Sequence, residues 1–223
     1  MRLFAIGDIH GCLSELDTLL AAIHPKKTDT LITLGDIIDR GPDSKGVIER
    51  LIALKKKTNL IMLRGNHEQL LLDSRFDEVA YITWMKNGGQ ETLRSYGENA
   101  TLMEVPLQHI AFLEKPPLFY HETPTHIFVH GGLDPHADMP IQLREIMLWE
   151  RFQNPRPHKS GKIMVCGHTP QLSGRPAHLG HAICLDTASF INGPLTALEI
   201  NSGDVIQAYP MGNILKTHLD DYK

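Results

Sequence analysis

The chain has 223 residues, of which 42% are hydrophobic and 22% are charged, and its formal net charge is −4. This length and composition predict one globular domain with a full hydrophobic core, and the slight acidity argues against a nucleic-acid groove. No apolar run approaches the ~20 residues that cross a bilayer, and no secretory signal precedes the first strand-like run.

Three cysteines, Cys12, Cys166 and Cys184, form neither a disulfide framework nor a CxxC motif. We interpret them as small buried hydrophobic residues, and the missing pairing pattern predicts a reducing, cytoplasmic environment. Histidine is frequent, with 13 residues, so the position of each histidine matters more than the count.

The first third of the chain repeats a strand, a polar loop and a helix three times. The predicted strands are 3–6, 30–34 and 59–63, and the predicted helices are 14–23, 45–54 and a third that continues from residue 68. Ser14 is the expected cap of the first helix. This order predicts parallel strands with right-handed crossovers, and the loops at their carboxyl ends should converge on a ligand site.

The rest of the chain changes from helical to strand-like patterns. Residues 77–113 are predicted to be mostly helical with a Gly-Gly break, and the KPP sequence at 115–117 marks a turn. Strands are predicted at 126–129, 162–166 and 182–186, followed by a hairpin at 195–209 around residues 201–203. Together these elements predict an α/β fold in a single domain (1–223), with two mixed sheets packed as a sandwich and flanked by helices.

Five of the predicted strands end at polar side chains that could bind metal ions. These side chains carry oxygen and nitrogen donors without a thiolate, a set that suits Mn, Fe or Zn better than a structural cysteine site. One central carboxylate could bridge two ions, and such a pair clamps a phosphate and activates water. The arginines beside these loops suit bidentate recognition of phosphate oxygens.

The motifs GDIHG, GDIIDRG, RGNHE, HGG and GHT occur in this order between residues 7 and 169. They resemble the signature of the phosphoprotein phosphatase (PPP) family of metallophosphoesterases, and five ordered motifs at strand ends are a specific signal. NHEQLLLD, NGG, LWER and LDT extend the resemblance to the small bacterial and phage members, of the bacteriophage lambda phosphatase type. The resemblance implies the calcineurin-like fold and metal-dependent hydrolysis of phosphomonoesters.

The resemblance also implies a ligand set for two divalent ions, expected to be manganese with iron or zinc as alternatives. The expected ligands are Asp8 and His10 for the first ion, Asp36 for both ions, and Asn66, His130 and His168 for the second. A hydroxide bridging the ions would attack phosphorus directly, without a phosphoenzyme.

His67 would be the general acid that protonates the leaving oxygen, and Asp39 would keep it oriented and protonated. The arginines expected to bind the substrate phosphate are Arg40, Arg64 and Arg151. Arg156 lies near Arg151 in sequence and is an alternative to it. Glu68 is interpreted as the start of a helix and His181 as a strand-edge residue.

Two positions depart from related patterns. Pro170 of GHTP stands where metallophosphoesterases that act as nucleases or phosphodiesterases have a second metal-binding histidine, which favours the PPP branch. Ala188 follows LDT where the small relatives often have glycine. Neither departure changes the expected chemistry.

The expected substrates are phosphoserine and phosphothreonine in proteins, or a small phosphorylated compound, with phosphotyrosine left open. The alternative is a dinucleoside polyphosphate hydrolase, because the symmetrical diadenosine tetraphosphatases share these motifs, although they tend to have GHW where this chain has GHT. A non-catalytic scaffold is a third reading, which the complete ligand set disfavours. Residues 73–113 and 132–157 are expected to set specificity; neither nucleic acid nor a membrane is an expected partner, and the oligomeric state stays open.

Overall fold

The computed structural model describes residues 1–115 and 118–223, so the predicted turn at 115–117 lies largely outside the described residues. The strands in chain order are β1 (Leu3–Ile6), β2 (Thr30–Thr33), β3 (Asn59–Met62), β4 (Tyr120–Glu122), β5 (His126–Val129), β6 (Ile163–Cys166), β7 (Ala177–His178), β8 (Ala182–Cys184), β9 (Leu195–Glu199), β10 (Asp204–Ala208) and β11 (Ile214–His218).

The strands form two mixed sheets. The first has the order β11-β10-β9-β1-β2-β3, and the second has the order β4-β5-β6-β8-β7. The strands β1, β2 and β3 are parallel and form one side of the first sheet, while β9, β10 and β11 pair in the antiparallel sense on its other side. In the second sheet β5, β6 and β8 form a parallel centre, and β4 and β7 pair with it in the antiparallel sense. Each sheet therefore contains three parallel strands whose carboxyl ends share one edge.

Helices flank the first sheet and cover the end of the second, which confirms the predicted α/β sandwich. They are α1 (Leu13–Ile23), α2 (Ser44–Lys55), α3 (Asn66–Asp73), α4 (Glu78–Trp84), α5 (Gln90–Tyr96), α6 (Leu107–Glu114) and α7 (Arg144–Trp149). A π-helical segment, Met85–Gly89, joins α4 to α5. No helix within the described ranges is long and apolar enough to cross a membrane.

The starts of α1 and α2 differ in their capping. Asp43 caps α2, because its side chain accepts a hydrogen bond from the backbone N–H of Gly46. The predicted Ser14 cap of α1 is wrong. That helix begins at Leu13 behind Cys12, which makes no side-chain capping bond. The left-handed turn at Gly11 (φ 65°) leads the chain into the helix before it reaches Ser14.

Side chains alternate between two hydrophobic layers along the central strands. In β1, Ala5 packs between the sheets with Phe128 of β5 and Val165 of β6, whereas Phe4 and Ile6 pack with the residues of the flanking helices. Both faces of these strands are therefore buried, which explains why they read as unbroken apolar runs in the sequence.

Four short elements were not predicted. Strand β7 has two residues, and β4 and β11 are edge strands rich in polar or exposed side chains. Helix α7 has six residues and no side-chain cap. Such elements depend on their neighbours for stability, so their sequences carry neither a clear period nor a start signal.

Candidate metal centre

Eight polar residues converge between the carboxyl ends of the two sheets. The loops after β1, β2 and β3 bring Asp8, His10, Asp36, Asp39, Asn66 and His67, and the loops after β5 and β6 bring His130 and His168. All are buried except His168, which is half-buried. Nδ1 of His130 donates to the carbonyl oxygen of Leu34 at 2.9 Å, which joins a loop of one sheet to a loop of the other.

One group of donor atoms consists of Asp36, His130 and His168, whose ligand atoms lie within 4.8 Å of one another. When the rings are neutral, Nδ1 of His130 and Nε2 of His168 donate to backbone carbonyl oxygens, so the other nitrogen of each ring then carries a lone pair. Both lone pairs face Oδ1 of Asn66, at 2.9 and 3.0 Å. Three acceptors facing one another with a carboxylate beside them fit a bound cation.

A second group consists of His10, Asp36 and His67, again with ligand atoms within 4.8 Å of one another. Nδ1 of His10 donates to the carbonyl oxygen of Ile38 at 2.8 Å, which leaves Nε2 as the acceptor nitrogen, 3.6 Å from Oδ2 of Asp36. Asp36 thus belongs to both groups. This is the placement expected of a carboxylate that bridges two ions.

Asp8 lies outside both groups. Its two carboxylate oxygens accept from the backbone N–H of His168 at 3.2 and 3.0 Å, and so tie the loop after β1 to the loop after β6. Asp186, just after β8, is 1% exposed, and its Oδ2 has no hydrogen-bond partner among the described residues. Burial and the charge of Asp186 raise the pKa of Asp8 well above its ordinary value. Because neither group of donor atoms includes Asp8, its role as a metal ligand stays a prediction.

His67 and Asp39 form a buried pair beside the second group. Nδ1 of His67 donates to Oδ2 of Asp39 at 2.8 Å. Nε2 of His67 points to the donor cluster, 3.8 Å from Oδ2 of Asp36, and has no hydrogen-bond partner among the described residues. A buried imidazole nitrogen without a partner, aimed at the place where ions would bind, suits proton transfer to a bound substrate.

The histidines divide into two classes by charge. Burial lowers the pKa of His10 and His168, that of His168 to about 4, so both are neutral near pH 7, which is the form that binds a metal. Burial opposes charge on His67 and His130 as well, but Asp36 outweighs it and the pKa of both is raised. The pKa of Asp36 is held well below its ordinary value by these two imidazoles, which outweigh its own burial. In the metal-free cluster, protons on His67 and His130 therefore supply positive charge beside Asp36, where bound cations would otherwise supply it.

Two of the three predicted arginines lie at the mouth of the cluster. The guanidinium of Arg40 donates to Nε2 of His10 at 3.1 Å and stacks 4.6 Å above the ring of Phe190. Arg151 is exposed, and its charge contributes to the lowered pKa of His168, after burial and other charges. Two guanidinium groups that act on histidines of the donor cluster suit bidentate binding of phosphate oxygens.

The prediction that Arg64 binds phosphate is not supported. Arg64 is 5% exposed, and its guanidinium donates to the carbonyl oxygen of Glu114 at 3.0 Å. Glu114 is the last residue of α6, where carbonyl groups lack helical partners and a cation is favourable. Arg64 therefore points away from the cluster and holds the end of a helix.

Several residues of the site were missed by sequence reasoning. Glu68 does more than begin α3, because its carboxylate accepts from the backbone N–H groups of Asp36, Ile37 and Gly65, each at 2.9 Å. Glu68 lies three residues after the N-cap residue Gly65 and accepts from its backbone N–H, which is the glutamate half of a capping box, so this spacing was a usable signal. For Phe190, whose ring lies 4.9 Å from that of His10, no signal existed. The acid in LDT could have been found as an acid at a strand end.

Backbone strain is concentrated in the same loops. His10, Asp36, Asp39, Arg40 and His168 all have positive φ, between 45° and 70°, a region that residues with a Cβ rarely adopt. Ala188 also has positive φ (60°), which explains the glycine common there in small relatives. Strain of this kind persists where the surroundings fix the backbone, as at ligand and active sites.

A cavity of about 400 Å³ lies along the loop that follows His130. Its lining includes Gly131, which follows His130, and both Arg151 and Arg156. Leu133 and Phe152 supply apolar surface. A cavity of this size can hold part of a substrate beyond the phosphate.

Comparisons with known proteins match most of this chain. The family model of the calcineurin-like phosphoesterases matches residues 1–205. Serine/threonine-protein phosphatase 1 of Salmonella typhimurium is 31% identical over 209 residues, which cover 89% of this chain and 92% of the relative. PrpE of Oceanobacillus iheyensis, an asymmetrical bis(5'-nucleosyl)-tetraphosphatase, is 28% identical over 224 residues, with 88% of each chain covered.

Among solved structures, the cold-active protein-tyrosine phosphatase of a psychrophilic Shewanella species superposes with a TM-score of 0.65. The match covers 96% of this chain and 80% of that chain, at 19% sequence identity. At that identity the likeness is one of fold.

Proposed function

Since this chain belongs to the calcineurin-like phosphoesterase family, we propose that it hydrolyses phosphate monoesters and that its substrates are proteins carrying phosphoserine or phosphothreonine. One observation carries the proposal. Two groups of donor atoms share Asp36, and the His67–Asp39 pair lies directly beside them. The Salmonella serine/threonine phosphatase, which matches over most of both chains, supports the substrate class.

Two divalent ions are part of this proposal. Asp8, His10 and Asp36 would hold the first, and Asp36, Asn66, His130 and His168 the second. Bound there, the ions would neutralise charge on the phosphate oxygens and lower the pKa of water for in-line attack. The oxygen and nitrogen donors support manganese, with iron and zinc as alternatives.

The remaining roles fall to side chains of the chain itself. Arg40 and Arg151 would bind the phosphate oxygens, and His67 would give its Nε2 proton to the leaving oxygen. Asp39 would hold the imidazole in the tautomer and the orientation that this transfer needs. Arg64 is not part of this set, because it binds the end of α6.

A second candidate function is hydrolysis of dinucleoside tetraphosphates. It is supported by PrpE, which matches over 88% of both chains, and by the cavity beside Arg151, which also contains Arg156. A second guanidinium suits a chain of several phosphates, and the apolar lining suits a nucleoside.

Activity with p-nitrophenyl phosphate and Mn²⁺, lost on chelation, is the first test. His67→Asn should lower kcat by about 10²- to 10⁴-fold, the usual contribution of a general acid, without loss of the fold. His24→Asn is the matched control, because His24 is exposed and its left-handed backbone tolerates asparagine. Full activity in purified Asp36→Asn protein would contradict the shared carboxylate.

The two candidate functions separate on their substrates. Rates on a phosphoserine peptide and on diadenosine tetraphosphate should be compared at equal Mn²⁺. The proposal expects the larger kcat/KM on the peptide. A large preference for the dinucleotide would replace the first function with the second.

A further inference from the structure

The carboxylate of Asp39 is held by donors from the helical segment 73–113, for which the sequence predicted only a part in specificity. The indole Nε1–H of Trp84 donates to both of its oxygens, at 3.1 and 3.0 Å. The hydroxyl of Thr92 donates to Oδ1 at 2.6 Å. His67 donates to Oδ2. Each oxygen of this fully buried carboxylate therefore accepts one hydrogen bond from a donor of its own, Thr92 or His67, and both oxygens accept from the indole.

The elements around Trp84 are built to bring the indole to this place. Trp84 ends α4 and is 0% exposed, and the π-helical turn after it contains Gly88 and Gly89. A Cβ on Gly89 would come within 2.5 Å of the indole ring, so only glycine fits beneath it. Gly88, with φ 107°, lies against Arg40, whose backbone N–H donates to its carbonyl oxygen at 3.3 Å. One irregular turn thus contacts both the acid pair and a phosphate-side arginine, as π-helical turns often do at functional sites.

The orientation of His67 depends on the orientation of this carboxylate. The last torsion of an aspartate is intrinsically soft, so the plane of the Asp39 carboxylate is set by its partners. That plane determines the direction of the bond to Nδ1 of His67, and the ring then aims Nε2 at the donor cluster. Loss of the indole or hydroxyl donor would leave the plane free to turn and would leave a charge-bearing oxygen underbonded.

We infer that Trp84 and Thr92 are positioning residues, whose two donors clamp the Asp39 carboxylate so that His67 points its Nε2 at the leaving oxygen. The inference rests on the proposed function, in which His67 supplies the proton. It gives a role to the segment from Trp84 to Thr92, whose ends lie 45 and 53 residues after Asp39 in the sequence.

Four variants separate a lost donor from lost packing. Thr92→Val removes the hydroxyl at nearly constant volume, and Thr92→Ser keeps it. Trp84→Phe removes the indole N–H while keeping an aromatic ring. Phe128→Leu, in the core between the sheets, is the control for a truncated buried aromatic that donates nothing.

The kinetic readout is the dependence on the leaving group, with phenyl phosphate and 2,4-dinitrophenyl phosphate as substrates. Proton donation matters most when the leaving oxygen is basic, so Thr92→Val and Trp84→Phe should lower kcat for phenyl phosphate about 10- to 100-fold. For the dinitrophenyl ester the loss should stay within about 3-fold, with KM unchanged for both substrates. Thr92→Ser should restore the rate on phenyl phosphate.

The second readout does not depend on turnover. In the full chain with bound Zn²⁺ and ¹⁵N-labelled histidine, the Nδ1 proton of His67, bonded to a carboxylate, should give a slowly exchanging downfield signal. Thr92→Val and Trp84→Phe should shift or broaden this signal, whereas Thr92→Ser and Phe128→Leu should keep it.

Uniform kcat losses on both esters, with the proton signal unchanged in both donor variants, would overturn the inference. So would a Thr92→Ser protein as impaired as Thr92→Val. If the wild-type protein hydrolyses no aryl phosphate, the proposed function fails, and the proton signal alone then decides the positioning role.

Discussion

Among single residues, Asp186 is a buried carboxylate that the metal-free site accommodates poorly. It is 1% exposed, one of its oxygens lacks a partner among the described residues, and burial raises its pKa to about 6. The folded protein therefore binds a proton that the unfolded chain releases near pH 4. The contribution of Asp186 to the stability of the metal-free protein should fall as the pH rises from about 4 to about 6, and should stay lowered above that range.

Asp186→Asn should remove this loss. In EDTA at pH 7 the variant should unfold with a free energy up to about 3 kcal/mol higher than the wild type, since one pKa unit corresponds to about 1.4 kcal/mol. Thermal unfolding between pH 4.5 and 7.5 should show the gap widening until about pH 6 and constant beyond. Asp77→Asn, at an exposed N-cap where asparagine serves as well, is the control. A gap independent of pH would contradict the explanation.

On the scale of elements, Arg64 and Arg151 should separate stability from activity. Arg64 binds the last carbonyl of α6 from a buried position, so Arg64→Met should lower the free energy of unfolding by about 1 to 3 kcal/mol. Its KM for an aryl phosphate should stay within about two-fold of wild type.

Arg151→Met should do the opposite, because Arg151 is exposed at the mouth of the cluster. It should raise KM severalfold and leave the denaturant midpoint unchanged. A raised KM for Arg64→Met at unchanged stability would return Arg64 to the phosphate site.

Local patterns explain why much of the fold and site could be predicted. Strands such as LFAI and TLIT are short apolar runs followed by glycine-containing loops, and parallel topology then brings their ends together. The resemblance to metallophosphoesterases and bacterial protein phosphatases is confirmed by the family match over residues 1–205 and by the Salmonella relative. Five short motifs were enough for this because each lies on one loop.

Contacts between distant segments explain what could not be predicted. Arg64 is the first residue of the RGNHE motif, yet it donates to a carbonyl oxygen 50 residues later. Trp84 and Thr92 donate to a carboxylate 45 and 53 residues earlier, and nothing in the helical pattern of their segment marks them. The direction of a long side chain depends on the tertiary structure, which a motif does not record.

For the molecule as a whole, metal binding should stabilise the fold. Mn²⁺ at 100 times its dissociation constant should add about 2.7 kcal/mol, which raises Tm by roughly 5–10 °C for a chain of this size. His168→Ala should reduce this rise, and His136→Ala, an exposed histidine outside both donor groups, should not. An equal rise in both variants would place the stabilising ion elsewhere.

The oxygen of Asn66 faces one histidine from each of two loops of the other sheet. An ion at that point would fasten the two halves of the sandwich at an edge where no backbone ladder joins them. Substitutions of these side chains would then be selected against for two reasons, the loss of activity and the loss of stability. In relatives that have lost the activity, we would expect the metal ligands to be retained longer than the general acid His67.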